Sequence, residues 1–309
     1  MPVDAAVQGV LDALSGSTPF EKMSAEEARA AVASFTGLQL PHREVAKVIN
    51  TTYPSPAGDQ PIRLYVPENS EGPLPVVLYF HGGGFIAGNI DVAEESNRAL
   101  ANDAGVLVAA ASYRLAPEHP FPAATDDTFA ALKWVAESIE QYGGDASRIA
   151  VMGDSAGGNL AAVTAQRARD EGGPALLGQI LVYPVIEPYA QTGSRTEFKE
   201  GYIVTAADLD SFWDRYLSSP EDAENPLAAP SRADSFVGLP PALVLSTEYE
   251  VARDEAEEYA QQLADAGVET EAIRFDGLVH AAYWMSGAVP RSSEIHEAIV
   301  QFLRRRFTE

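Results

Sequence analysis

Ile149-Ala150-Val151-Met152-Gly153-Asp154-Ser155-Ala156-Gly157-Gly158-Asn159-Leu160 is the stretch from which the rest of the chain is read. Four apolar residues run into a Gly-x-Ser-x-Gly turn, and an alanine-rich, helix-like segment follows to Asp170. Strand, sharp turn and helix make up the context in which this spacing carries chemistry. The turn strains the serine backbone, and the flanking glycines with Ala156 let strand and helix approach one another. The Ser155 hydroxyl then projects at a helix N-terminus, where the dipole favours developing negative charge. Ser155 is the candidate nucleophile. The plain alternative is a tight glycine-rich turn with an incidental serine.

Working outward, strand-like and helix-like segments alternate from about residue 45 to the end. Val76–Phe80, Val106–Ser112, Ile180–Tyr183 and Ala242–Ser246 join Ile149–Met152 as short apolar runs, and Glu269–Phe275 is the last strand-like run. Continuous rather than alternating apolarity suits strands buried on both faces of a mostly parallel sheet. Amphipathic segments over Asp126–Ser138, Gly158–Asp170, Glu255–Ala266 and Ser293–Arg305 supply the covering helices. Asp254 with Glu257 three residues later predicts a capping box for the third. Two segments break the alternation: 1–45, which is helix-rich, and 186–225, which carries Tyr189, Phe198, Tyr202, Phe212, Trp213 and Tyr216. An insertion of that length in an α/β core is usually a lid or binding segment. The expected organisation is a core of 46–185 and 226–309, with 1–45 and 186–225 together forming a helical cap.

A serine nucleophile needs an oxyanion site, a base and an orienting acid. His81-Gly82-Gly83-Gly84 directly follows the strand Val76–Phe80, and glycines at a strand end let backbone N–H groups converge. Gly83 and Gly84, with Ala156 as third donor, are the oxyanion candidates, each worth roughly 3 kcal/mol of transition-state stabilisation. A phosphate loop is the other reading of such a run, but no Gly-Lys-Ser/Thr follows and no Gly-x-Gly-x-x-Gly opens a helix. Of the five histidines, His42 lies in the N-terminal segment, His81 opens the glycine loop, His119 sits in a proline-rich turn and His296 rides the last helix. His280, just past the last strand-like run, stands where the chain order Ser…acid…His puts the base. The acid should follow Ala242–Ser246. Glu248, Glu250, Asp254 and Glu255 compete there; Glu250 lies in the turn itself and is preferred, Asp254 and Glu255 having the look of helix-start residues.

Composition narrows the function classes. The chain has 309 residues, 46% of them hydrophobic, no cysteine, and a formal net charge of -24. Disulfides, thiolate metal sites and cysteine nucleophiles are excluded together. Scattered acidity argues for a solvated surface and against nucleic acid, whose phosphates need clustered Lys and Arg. No run approaches the ~20 apolar residues of a membrane span. Met1-Pro2-Val3-Asp4-Ala5-Ala6 shows neither a basic n-region nor an apolar h-region, so a cytoplasmic location is expected.

Taken together, His81–Gly84, Tyr113-Arg114-Leu115-Ala116-Pro117-Glu118, Phe121–Ala124, Gly153–Leu160 and the stretch around His280 resemble the hormone-sensitive-lipase-like family of α/β-hydrolases. The resemblance covers nearly the whole chain and implies an α/β-hydrolase fold with a helical cap. It places Ser155 as nucleophile, His280 as base, and Gly83, Gly84 and Ala156 as oxyanion donors. Tyr113–Glu118 corresponds to a structural loop beneath the glycine turn. Two departures stand out. The family's acid motif, Asp-Pro-Leu-x-Asp-Glu, reads Glu250-Val251-Ala252-Arg253-Asp254-Glu255 here, so the acid is one methylene longer. The family's His-Gly-Phe reads His280-Ala281-Ala282, with Tyr283 and Trp284 behind it to restore volume.

The resemblance implies a serine carboxylesterase acting on short- to medium-chain esters, without metal or organic cofactor. Its partner is a small-molecule ester; a homodimer through the sheet edge follows by family analogy only. Phe85, Phe212, Trp213, Tyr283 and Trp284 are the expected pocket walls, ordinary core packing being the alternative for each. An amidase or lactonase would use the same machinery. A ligand-binding relative that has lost its catalytic histidine, as in plant gibberellin receptors, is the reading from another class.

Overall fold

The computed structural model describes residues 2–308; Met1 and Glu309, the outer ends of the first and last predicted segments, lie outside the described residues. Eight strands among the described residues form one sheet: β1 (Lys47–Tyr53), β2 (Gln60–Val66), β3 (Leu74–Phe80), β4 (Leu107–Ala111), β5 (Gly144–Asp154), β6 (Leu176–Val182), β7 (Ala242–Tyr249) and β8 (Thr270–Val279). Their spatial order is β1-β2-β4-β3-β5-β6-β7-β8. β2 runs antiparallel to both β1 and β4, and every other neighbouring pair is parallel. Leu107–Ala111 and Val76–Phe80 are almost wholly inaccessible to solvent. Helices on both faces keep water off them, which is why these strands read as unbroken apolar runs.

The helices are α1 (Ala5–Leu14), α2 (Ala25–Ala33), α3 (Glu94–Ala104), α4 (Ala123–Ser138), α5 (Ala156–Asp170), α6 (Gly193–Glu197), α7 (Ala206–Tyr216), α8 (Arg253–Asp265) and α9 (Ser292–Thr308). α3 and α9 pack together on one face; α4, α5 and α8 cover the other. The predicted capping box of α8 is not formed. Ala252 holds the N-cap position, and Asp254 instead accepts from the Ser194 N–H at 2.7 Å. Glu257 is drawn off to Ser246 and Arg274. Both side chains have tertiary partners that outcompete the local bond.

The segments 1–45 and 186–225 meet each other. The Glu21 N–H donates to Asp208 at 2.8 Å, Arg215 donates to the Met23 carbonyl at 2.8 Å, and the Phe20 and Phe212 rings lie 5.6 Å apart. Arg29 on α2 reaches down to the Ile86 carbonyl and pairs with Glu118, fastening the N-terminal segment to the loops beyond β3 and β4. Among the described residues no helix is long and apolar enough to cross a membrane.

Candidate active site

β5 ends at Asp154, and Ser155 is the N-cap of α5, with φ 55° and ψ −121°. A non-glycine residue at positive φ costs free energy and persists only where its surroundings over-determine it. The determinants are visible. Ser155 N–H donates to the Val182 carbonyl at 2.9 Å, and its own carbonyl accepts from Asn159 and Val185. Asn159, buried in the first turn of α5, donates to the carbonyls of Val185 and Ala228, tying helix to flanking loops. A Cβ at Gly153 would meet the Gly157 carbonyl oxygen at 2.1 Å, and one at Gly157 would meet that of Phe80 at 2.1 Å. The glycines of the motif are there for close backbone approach.

His280 follows β8. Its Nε2 lies 2.8 Å from Ser155 Oγ, and its Nδ1 lies 2.6 Å from Glu250 Oε1. The second carboxylate oxygen of Glu250 accepts from Thr247 Oγ1 at 2.7 Å. All three members are buried. Of the four competing carboxylates, Glu250 is the one beside His280. Glu248 accepts from the Gly277 N–H, Asp254 from Ser194, and Glu255 turns inward to the Ile186 N–H. The remaining histidines point elsewhere: His296 meets Asp103, His42 lies at the surface near Glu94, and His119 is exposed. Ala281, where the resembled family has glycine, takes φ 63°.

His81 is buried in the loop between β3 and the glycines. Its Nδ1 lies 2.8 Å from the Gly82 carbonyl, its ring stacks on Tyr113 at 4.5 Å, and Tyr113 donates to the His81 carbonyl. Burial pulls its pKa down to about 4, so the ring is neutral and Nδ1 carries the donated proton. The N–H groups of Gly83, Gly84 and Ala156 have no backbone acceptor outside helices and strands among the described residues. Amides so placed, one at the start of a helix, have donor capacity for a ligand oxygen.

Asp154, the variable position of the motif, was not singled out by sequence. It is buried between β3 and β5, accepts a hydrogen bond from the Tyr79 hydroxyl, and abuts Gly82, where a Cβ would meet its Oδ2 at 2.5 Å. Burial pushes its carboxyl up to about 7, partly offset by Tyr79 and His280. The pairing of Tyr79 beside Met152 creates this contact, and a sequence does not show cross-strand register.

Two small cavities flank Ser155 and His280. The larger, about 40 Å³, is walled by Phe20, Val32, Phe35, Ile203, Phe212 and Trp284. The smaller, about 10 Å³, is walled by Phe85, Val185, Leu209, Phe212, Val251 and Ala252. Of the five expected pocket walls, Phe85, Phe212 and Trp284 line these cavities and two do not. Trp213 is wholly buried behind the site against Phe85 and Tyr216, because it follows Phe212 on a helix and points about 100° away. Tyr283 lines a separate groove beside Glu95 and Ser286, because the 3₁₀ turn Ala282–Trp284 sends adjacent side chains in different directions.

A serine, a histidine and a carboxylate in hydrogen-bonded series at the C-terminal ends of a parallel sheet define a hydrolase of the serine type. A family model described as the alpha/beta hydrolase fold matches residues 77–284, and the chain belongs to that family, as its resemblance to the hormone-sensitive-lipase-like members implied. Esterase LipI of Mycobacterium tuberculosis is 42% identical over 252 residues, covering 80% of this chain and 78% of the relative. An arylesterase of Saccharolobus solfataricus is 33% identical over 286 residues, covering 91% and 92%. Among solved structures, the hyperthermophilic esterase from the archaeon Pyrobaculum calidifontis superposes with a TM-score of 0.94 at 36% identity, covering 100% of both chains.

Proposed function

We propose that the protein is a serine carboxylesterase that hydrolyses short- to medium-chain esters through an acyl-enzyme on Ser155. The observation that carries this reading is the unbroken series Glu250–His280–Ser155, at 2.6 and 2.8 Å. His280 Nε2 takes the Ser155 proton as Oγ attacks the ester carbonyl, and the Gly83, Gly84 and Ala156 amides hold the oxyanion. The imidazolium then protonates the departing alcohol. Water, deprotonated by the same nitrogen, attacks the acyl-enzyme, and the proton returns to Ser155 as the carboxylic acid leaves. Glu250 holds the Nδ1–H tautomer, and Thr247 holds Glu250. The segments 1–45 and 186–225 act together as the cap over this site, and their mutual hydrogen bonds support that division. The esterase names of relatives at 42% identity point the same way.

A fluorophosphonate probe with a p-nitrophenyl ester series tests the assignment. Labelling confined to Ser155 and absent from Ser155→Ala is expected, with turnover highest on short to medium acyl chains. No labelling of the wild type would support a binding protein, and a maximum on long-chain esters a lipase. The same reading keeps the protein in the cytoplasm and pairs it as a homodimer through a sheet edge, which sedimentation of the purified protein checks.

A further inference from the structure

We infer that the smaller, enclosed cavity is the acyl pocket, that Phe212 sets its length limit, and that the preferred substrates are esters of very short acids with larger alcohols. This rests on the esterase reading above and narrows it. The two cavities share Ser155, His280, Gly84, Val204 and Phe212, so each receives one substituent of an ester carbonyl held at Ser155. They differ in access. Phe85, Val185, Leu209, Val251 and Ala252, which line only the smaller cavity, are all buried, whereas Phe20 and Ile203, which line only the larger one, are partly exposed. In acyl transfer the alcohol leaves and water enters while the acyl group stays on the serine. The cavity open to solvent therefore serves alcohol and water, and the closed one serves the acyl chain.

The closed cavity has little freedom to grow. At about 10 Å³ it has room for a group the size of one water or methyl. Val185 is bound through its N–H to Ser155 and through its carbonyl to Asn159. Val251 and Ala252 directly follow Glu250, and Phe85 is stacked at 3.9 Å on Tyr216. Displacing any of these moves backbone joined directly to the triad or to the glycine loop. Phe212 is different. It stands on α7, and its ring lies over the Cα of Gly84, where a Cβ would meet it at 2.5 Å. Its ring also meets that of Phe20, at the larger cavity. It is the partition between the two cavities and the wall that can be cut back without touching the nucleophile turn.

The test compares wild type, Phe212→Ala and Leu209→Ala on two ester series. One varies the acyl group from acetyl to octanoyl with p-nitrophenol fixed; the other varies the alcohol of alkyl acetates. Wild-type kcat/KM is expected to fall steeply beyond propionyl and to tolerate longer alcohols. Phe212→Ala should raise the hexanoyl-to-acetyl ratio about tenfold or more, the discrimination a methylene or two commands in an apolar pocket, and leave the order of the acetates in place. Leu209→Ala, on another wall of the same cavity, should shift the ratio the same way and serves if the first variant does not fold. A wild-type maximum at hexanoyl or longer overturns the inference, as does a variant that reorders the acetates and not the acyl series. Absence of turnover in both series, with no fluorophosphonate labelling, brings down the esterase reading and this one with it.

Discussion

Ser155 is held at positive φ by bonds on both of its backbone groups, and its hydroxyl meets a histidine whose other nitrogen is held by a glutamate. The extra methylene of Glu250 is accommodated within a 2.6 Å contact, and Thr247 fixes the carboxylate from its other side. An amide at this position presents an ambiguous partner to Nδ1 and releases the tautomer. Glu250→Gln is expected to lower kcat by about 10³–10⁴-fold, while Asp254→Asn stays near wild type, since Asp254 is engaged by Ser194 and Arg253. Steady-state kinetics on one p-nitrophenyl ester separates them, and the reverse pattern would unseat Glu250. Ser155 and Glu250 were legible because each follows a strand whose apolar run is plain in the sequence, and His280 because it follows the last strand-like run in the chain order Ser, acid, His. Thr247 and the Tyr79–Asp154 contact were not, because they depend on turn geometry and on register between strands. Phe212 and Trp284 were separated from Trp213 and Tyr283 only by side-chain direction, which an aromatic cluster in a sequence does not reveal.

The loop from Tyr113 to Glu118 illustrates how elements hold the site. Arg114 grips Asp127 of α4 through two guanidinium nitrogens at 2.8 Å, and its backbone N–H adds a third bond to the same carboxylate. Asp127 is fully buried. Removing the carboxylate leaves the partly buried Arg114 guanidinium and backbone N–H without their acceptor, so Asp127→Ala should cost about 3 kcal/mol, the low end for a buried pair. The midpoint of urea unfolding reads this directly, and a loss below about 1 kcal/mol, as for a surface pair, would contradict it. At this scale the central strands and the four long covering helices were legible. β1 and β2 were not singled out: β1 lies at the sheet edge, is only partly buried, and reads Lys47-Val48-Ile49-Asn50-Thr51-Thr52-Tyr53, without an apolar run. α3 escaped for a related reason, since it buries Glu95, Ser96 and Asn97, which no hydrophobic periodicity marks.

The whole molecule carries a formal charge of -24, and among its buried carboxyls Asp154 and Glu255 have no cationic partner within hydrogen-bond range. Burial raises Glu255 to about 8 and Asp154 to about 7. Each holds its proton more tightly folded than unfolded, so protonation favours the native state. That contribution is complete below the ordinary carboxyl range and is lost as pH rises through about 7 for Asp154 and about 8 for Glu255. Glu255→Gln cancels the second share. The stability difference between Glu255→Gln and wild type should therefore move in favour of the variant between pH 5 and pH 9, as followed by thermal unfolding at each pH. A difference that is flat with pH would show that Glu255 is not raised.

The hydrogen bond from Glu21 to Asp208 joins residues 187 positions apart. During synthesis the segment around Glu21 leaves the ribosome before its partner on α7, which follows about 10–40 s later at ordinary elongation rates. The segment made earlier therefore waits for the later one to meet it. Until then Phe20, Val32 and Phe35 have no wall to complete, and the serine turn, itself not yet translated when the segment emerges, is built beneath an open roof. Closure of the site thus waits on the middle of the chain, and a nascent protein cut short before residue 208 has no means of assembling it.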